Sequence, residues 1–156
     1  VVPDVVTMAK ALGNGVPIGA CWAKADVAAA FQPGDHATTY GGQPLAAAAA
    51  RAVLAVMEAS DVPARATAAG ARLTGLLQAD PRVSEVRGLG LLLAAQLVDG
   101  IDARAVAAAA LERGLVVNAV TPTALRLAPS LLITDDELDE AMRRLAQAFA
   151  DVEAAS

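Results

Sequence analysis

The chain has 156 residues, of which 56% are hydrophobic and only 3% aromatic, with a formal net charge of −5. This is length for one ordinary domain or parts of two, and its alanine richness favours an ordered, helix-rich globular protein over disorder. Net acidity without a lysine/arginine cluster argues against nucleic acid as a partner. No apolar run reaches transmembrane length, and the first residues show no basic region followed by a signal core.

In chain order, Val5 to Met8 reads as a short buried strand and Ile18 to Ala23 as its neighbour across a glycine loop. Asp26 to Phe31 suits a short helix, stopped by Pro33-Gly34. Pro44 stands where a helix begins, and Leu45 to Ala59 continues it with Val53, Leu54 and Met57 in helical register. Asp61 is a candidate cap for a second helix, which carries Leu73, Leu76 and Leu77 before Asp80-Pro81 breaks it. A domain boundary is expected near residue 62, dividing 1–62 from 63–156.

Beyond that boundary strands and helices alternate. Val83 to Val98 contains strand material, clearest at Leu91 to Leu97. Asp102 can cap a helix running to Arg113, ended by Gly114. Leu115 to Asn118 and Leu125 to Ala128 read as two short strands. Thr134-Asp-Asp-Glu137 is a capping-box pattern, opening a helix with Leu138, Met142, Leu145 and Phe149 on one face. The pattern predicts a compact α/β domain with helices on one side of a small sheet.

Lys10 ends the first apolar strand and enters a loop with glycines at 13, 15 and 19. The strand fixes the backbone, and the glycines keep bulk away from a cofactor-sized object. Dry surroundings are expected there, which would favour a neutral amine. In water a lysine stays protonated and is a poor nucleophile, whereas desolvation or a cationic neighbour prepares it to form a Schiff base. On spacing alone a solvated surface lysine is the commoner explanation of Lys10. Thr38 and Thr39 precede Tyr40-Gly41-Gly42, where hydroxyls serve either ordinary turn bonding or a phosphate that glycines let approach. Arg126 lies in the apolar run Leu125-Arg-Leu-Ala128, where burial would demand an anionic partner, and it suits a structural salt bridge or an edge strand. Cys21, in Ile18-Gly-Ala-Cys-Trp-Ala23, is expected to be a buried structural thiol. As the only cysteine it forms no internal disulfide, so a reducing cytoplasm is the default, and one Cys with one His supports no metal site. His36, the single histidine, is a loop residue without an assigned role. Arg87-Gly-Leu-Gly90 lacks a third glycine, since Leu93 holds that position, and it feeds a strand, so it is not a dinucleotide loop. Gly88 and Gly90 suit a bend at the strand entrance.

The segment Thr7-Met-Ala-Lys-Ala-Leu-Gly-Asn-Gly-Val-Pro-Ile-Gly-Ala20 resembles the pyridoxal-phosphate lysine segment of the class III aminotransferases. His36-Ala-Thr-Thr-Tyr-Gly-Gly-Gln-Pro-Leu45 resembles the family's phosphate segment, with Gln43 where Asn is usual. Val117-Asn-Ala-Val-Thr-Pro-Thr-Ala-Leu-Arg-Leu-Ala-Pro-Ser-Leu131 resembles its carboxylate-arginine segment, especially that of acetylornithine aminotransferases. The three motifs occur in family order and span nearly the whole chain.

The resemblance implies the PLP-dependent transferase fold type I, an α/β fold. The chain would be its C-terminal portion: the end of the large cofactor-binding domain at 1–62, and the small C-terminal α/β domain at 63–156. It implies pyridoxal 5′-phosphate as cofactor, Lys10 as the Schiff-base and proton-transfer residue, and Thr39 as a phosphate ligand acting from the partner subunit of a homodimer. Thr38 would touch substrate and Arg126 would grip its carboxylate. The activity implied is transamination of N2-acetylornithine with 2-oxoglutarate in arginine biosynthesis, in the cytoplasm. Succinylornithine, ornithine, 4-aminobutyrate and diaminopelargonate are the competing amino donors, and a related decarboxylase or aminomutase suits the Arg126 context less well. A second class of reading is a catalytically silent structural or interaction module. It arises because the family's N-terminal half, with its phosphate loop, ring-stacking aromatic and pyridine-pairing Asp, has no counterpart here.

Overall fold

The computed structural model describes residues 1–155 and divides them into two units, Val1–Ser60 and the stretch beginning at Asp61. In the first unit, β-branched Val5, Val6 and Thr7 form β1 (Val5–Met8), paired antiparallel with β2 (Ala20–Ala23). The connection is a 3₁₀ turn, Lys10–Gly13, closed by Asn14 and Gly15 in left-handed conformations, φ 45° and 107°. β2 starts at Ala20, so Ile18 and Gly19 belong to the loop. α1 (Ala25–Ala28) is a single turn that unwinds into three-residue bonds from the Ala30 and Phe31 amides, short of the expected Phe31 end.

Pro44 opens α2 (Pro44–Ala59), where its missing N–H costs nothing. Buried Ala46 and Ala50 continue into half-buried Val53 and Met57, a stripe at helical spacing, and the helix packs on the 3₁₀ turn that carries Lys10. Leu54, expected in that register, is exposed. So is Cys21, against the expectation of a buried thiol. A two-stranded ribbon offers no second layer to cover either face of β2, and Trp22 beside it is exposed as well.

The second unit begins with α3 (Val62–Gln78). Asp61 occupies the capping position but has left-handed backbone, φ 45°, and its carboxylate caps no amide. The expected cap is absent, and Pro63 marks the first turn instead. β3 (Val83–Leu89) and β4 (Leu92–Leu97) form a hairpin, followed by α4 (Ala103–Glu112), a second hairpin of β5 (Asn118–Thr121) and β6 (Ala124–Leu127), and α5 (Asp135–Ala154). The sheet is antiparallel throughout, in the order β3-β4-β6-β5. Asp102 accepts the Arg104 amide at 3.0 Å and starts α4 as expected. Thr134 and Glu137 complete the expected capping box of α5. β5 lies further along the chain than expected, because the turn at Pro122-Thr123 sets its register, with the Thr123 amide donating to Thr121 Oγ1 at 3.3 Å.

Strand alternation gives this sheet two unlike faces. The row Val86–Ala95–Leu125–Ala119 faces inward, joined by Leu93, Leu97 and Leu127, and packs with Leu73 and Leu77 of α3, Val106 of α4 and Leu138, Leu145 and Phe149 of α5. The next row, Arg87–Ala94–Arg126–Asn118, points the other way. At Gly70 a Cβ would lie 2.2 Å from the Gly90 carbonyl oxygen, so α3 sits backbone-to-backbone on the β3–β4 turn. Gly90 itself turns the hairpin at φ 55°. Arg82 grips Asp80 through two 2.8 Å bonds and stacks 4.6 Å from the Phe149 ring centroid, tying the start of β3 to α5.

Candidate active site

β1 delivers Lys10 to the first position of the 3₁₀ turn, at φ 53°. A side chain in the left-handed region is uncommon and persists where the surrounding structure holds it. Here the turn bonds of Leu12 to Ala9, Asn14 to Ala11 and Val16 to Gly13, each 3.1 Å, fix the backbone, and α2 buttresses it. At Gly13 an added Cβ would meet the Ile18 side chain at 2.8 Å, so the turn closes tightly only with glycine there. The Lys10 ammonium has no hydrogen-bond or ion-pair partner among the described residues. It borders an open recess of about 280 Å³ with Thr7, Met8 and Ala9. The dry surroundings expected for Lys10 are not found, because β1 and the turn are exposed and this unit buries little that could exclude water.

Thr38 and Thr39 lie in an exposed irregular segment ahead of α2. Their hydroxyls make no hydrogen bond among the described residues, so the turn-bonding role weighed for them is not what this segment shows. The backbone amides of Thr38 to Gly42 likewise have no acceptor. Gly42 is left-handed at φ 70°, and a Cβ on Gly41 would fall 2.1 Å from the Thr38 methyl group, so glycine lets Thr38 fold back on the turn. The result is a run of uncommitted N–H and O–H donors beside two glycines, the donor set an oxyanion requires. Neither threonine lines the recess at Lys10.

Arg126 belongs to the second unit, on the sheet face opposite the helices. It is exposed, and no carboxylate pairs with it among the described residues, unlike Arg82 with Asp80 or Arg113 with Asp151. Its strand neighbours Leu125 and Leu127 are buried, so the backbone beneath the guanidinium is anchored while its five donors stay free.

Residues 1–149 match the family described as aminotransferase class-III. The chain belongs to the class-III aminotransferases. The acetylornithine aminotransferase of Corynebacterium efficiens is 45% identical over 157 residues, covering 99% of this chain and 38% of that protein. Among solved structures, the ornithine aminotransferase from Toxoplasma gondii ME49 superposes with a TM-score of 0.88 at 34% identity, over 99% of this chain and 38% of its own. The N-acetylornithine aminotransferase from Stenotrophomonas maltophilia K279a gives 0.85 at 39% identity, over 100% and 42%. The fold is thus the α/β fold of the PLP-dependent aminotransferases, and the chain spans well under half the length of these relatives.

Within this class-III aminotransferase chain, the carboxylates with displaced titration all lie in the second unit and have structural causes. Two arginines, Arg143 and Arg144, hold Glu140 down to about 2. The Arg82 side chain lowers Asp80, the Thr134 amide lowers Glu137, and Arg113 lowers Asp151. These are ion pairs within α5, ahead of β3 and between α4 and α5, together with the capping hydrogen bond of α5, and they perturb titration without marking a reactive site. Among the described residues there is no group of three metal-ligating side chains and no helix long and apolar enough to cross a membrane. His36 is exposed in its loop. Arg87, which the sequence marks only through the run Arg87-Gly-Leu-Gly90, is set by the strand register in the same row as Arg126.

Proposed function

We propose that the full-length protein is a pyridoxal-phosphate-dependent aminotransferase that moves an amino group between N2-acetylornithine and 2-oxoglutarate, within arginine biosynthesis in the cytoplasm. The observation that carries this reading is the Lys10 amine: unpartnered, beside an open recess, on a left-handed residue at the head of a buttressed turn. The donor chemistry fits the cofactor, since a primary amine is offered for its aldehyde and the free donors of Thr38 to Gly42 suit its phosphate. Pyridoxal phosphate, when bound, supplies the electron sink for the reacting carbon. Lys10 would hold the cofactor's aldehyde carbon and carry the proton removed from the substrate carbon that bears the reacting nitrogen. Thr39 would hold the phosphate, Thr38 would contact substrate, and the planar fork of Arg126 would orient a substrate carboxylate.

In this reading residues 1–62 complete the large cofactor-binding domain and 63–156 form the small domain, and the remaining length of the relatives supplies what this stretch does not hold. A protein limited to these residues is then catalytically silent, and the full-length protein active. The assay that tests the substrate is glutamate formation by the full-length holoenzyme from 2-oxoglutarate, with N2-acetylornithine and ornithine compared as donors. A higher kcat/KM for N2-acetylornithine is expected. Ornithine is the second reading, favoured by the TM-score of 0.88 to an ornithine aminotransferase, and a preference for it would replace the first.

The protein is further proposed to be a homodimer in which Thr39 serves the partner's site. Mixing inactive K10A and T39A subunits separates the arrangements. If Thr39 acts in trans, heterodimers contain one intact site and activity returns to roughly a quarter of wild type. If it acts within its own subunit, none returns.

A further inference from the structure

We propose that Ile18 is a positioning residue for the Lys10 amine: its Cγ2 methyl fills the space beside Gly13 and so sets the turn that aims Lys10. The inference rests on the reading of Lys10 as the residue that holds the cofactor, and deepens it. The β1–β2 ribbon ends on the pair Met8 and Ala20. Lys10 follows Met8 by two residues and Ile18 precedes Ala20 by two, so each stands two residues beyond that last pair. Pro17 stiffens the backbone ahead of Ile18, and a β-branched side chain has few rotamers with which to step aside. Ile18 is half-buried, in a unit that buries little.

Gly13 shows what Ile18 does. A Cβ added there would lie 2.8 Å from Ile18 Cγ2, well inside the separation of about 3.5–4.0 Å at which carbons pack. Val16 Cβ, at 3.6 Å, would be an ordinary contact. Gly13 is not left-handed, unlike Gly15 at φ 107°, where an added Cβ would meet nothing within 4 Å. Space taken by Ile18, and not a left-handed backbone, therefore requires glycine at position 13. Gly13 is also the buried residue of the 3₁₀ turn, which packs on α2 as well. Lys10 is the first residue of that turn, and its ammonium has no hydrogen-bond or ion-pair partner among the described residues. With no polar contact to hold the side chain, its aim depends on the backbone of the turn. A shift of about 1 Å in that backbone is enough to cost about a hundredfold in rate.

The test uses the full-length protein and three readouts: kcat, the rate at which added pyridoxal phosphate is captured on Lys10, and the thermal midpoint without cofactor. Capture is followed by borohydride reduction at timed intervals and peptide mapping. I18A, which only removes atoms, is expected to lower kcat and the capture rate at least about tenfold, with KM changed less than about twofold. G13A should lower both rates about a hundredfold. G13A/I18L, which deletes the γ-branch in the way, should regain at least about tenfold, whereas G13A/I18V, which keeps both γ carbons, should regain less than about twofold. A merely structural role would lower the cofactor-free midpoint and leave capture by the folded protein unchanged. That result, wild-type rates in I18A, or equal recovery by Leu and Val would each overturn the proposal, and a wild-type adduct on Lys10 would then leave the reading of Lys10 intact. A wild-type adduct on another lysine would overturn both.

Discussion

The two units differ in where their free energy and their chemistry reside. From Asp61 onward, Leu73, Leu77, Leu125, Leu138, Leu145 and Phe149 are all but inaccessible, and α4 and α5 start at side-chain caps. In Val1–Ser60 the only apolar side chains buried are Ala46 and Ala50, while Trp22, Phe31, Tyr40 and Leu45 are exposed. Yet the first unit carries Lys10, Thr38 and Thr39. The second carries Arg126, on a scaffold that its own core holds rigid. The contrast separates a stretch that buries little and carries the groups proposed to meet the cofactor from one with a self-supporting core and the proposed carboxylate arginine on its open face.

Substitutions in the two units should therefore fail in different ways. The largest effect is expected for K10A in the full-length protein, a loss of about a thousandfold or more in turnover, because the amine proposed to move the proton is gone. In the cofactor-free protein its thermal midpoint should hardly move, since Lys10 is exposed and unpartnered. A midpoint lowered as far as by a core truncation would break the comparison. F149A should cost about 3–5 kcal/mol in denaturant unfolding, through lost burial, a cavity and the loss of the ring beneath Arg82. L54A, on the exposed side of α2, should fall within about 0.5 kcal/mol of wild type in the same experiment.

A smaller step, about 1 kcal/mol, is expected from T134A, which removes the acceptor for the Glu137 amide at the start of α5. The mildest is a pH effect. Asp80 and Glu140 have carboxyls held below their ordinary values in the folded chain, Glu140 to about 2 from 4.5. A depressed folded value means the stabilisation is complete above the unfolded value and disappears as pH falls through the folded one. For Glu140 the thermal midpoint should thus decline between pH 4.5 and about 2, and E140Q should flatten that decline.

Local signals were legible in the sequence wherever one or two residues decide the outcome. Pro44 at a helix start, Asp102 as a cap and the Thr134–Glu137 box act through neighbouring amides, and all three stand as expected. Burial was less legible, because it depends on layers that local pattern does not contain. Apolar β1 and β2 predict a dry lysine and a buried Cys21, but a lone two-stranded ribbon leaves both exposed. Asp61 has the composition of a cap without its geometry, its left-handed backbone turning the carboxylate from the helix amides. For the candidate site, sequence marks Lys10, Thr39 and Arg126 individually. The proximity of Arg87 to Arg126 emerges only from register, since the two are far apart in sequence and meet across β4.

The central claim is that Lys10 is the residue that holds the cofactor. Full-length protein loaded with pyridoxal phosphate, reduced with borohydride and mapped by peptide mass, tests it most directly. The account predicts one pyridoxyl-modified peptide, carrying the adduct on Lys10. An unmodified Lys10 peptide with the adduct on another lysine, or no adduct at all, would contradict it.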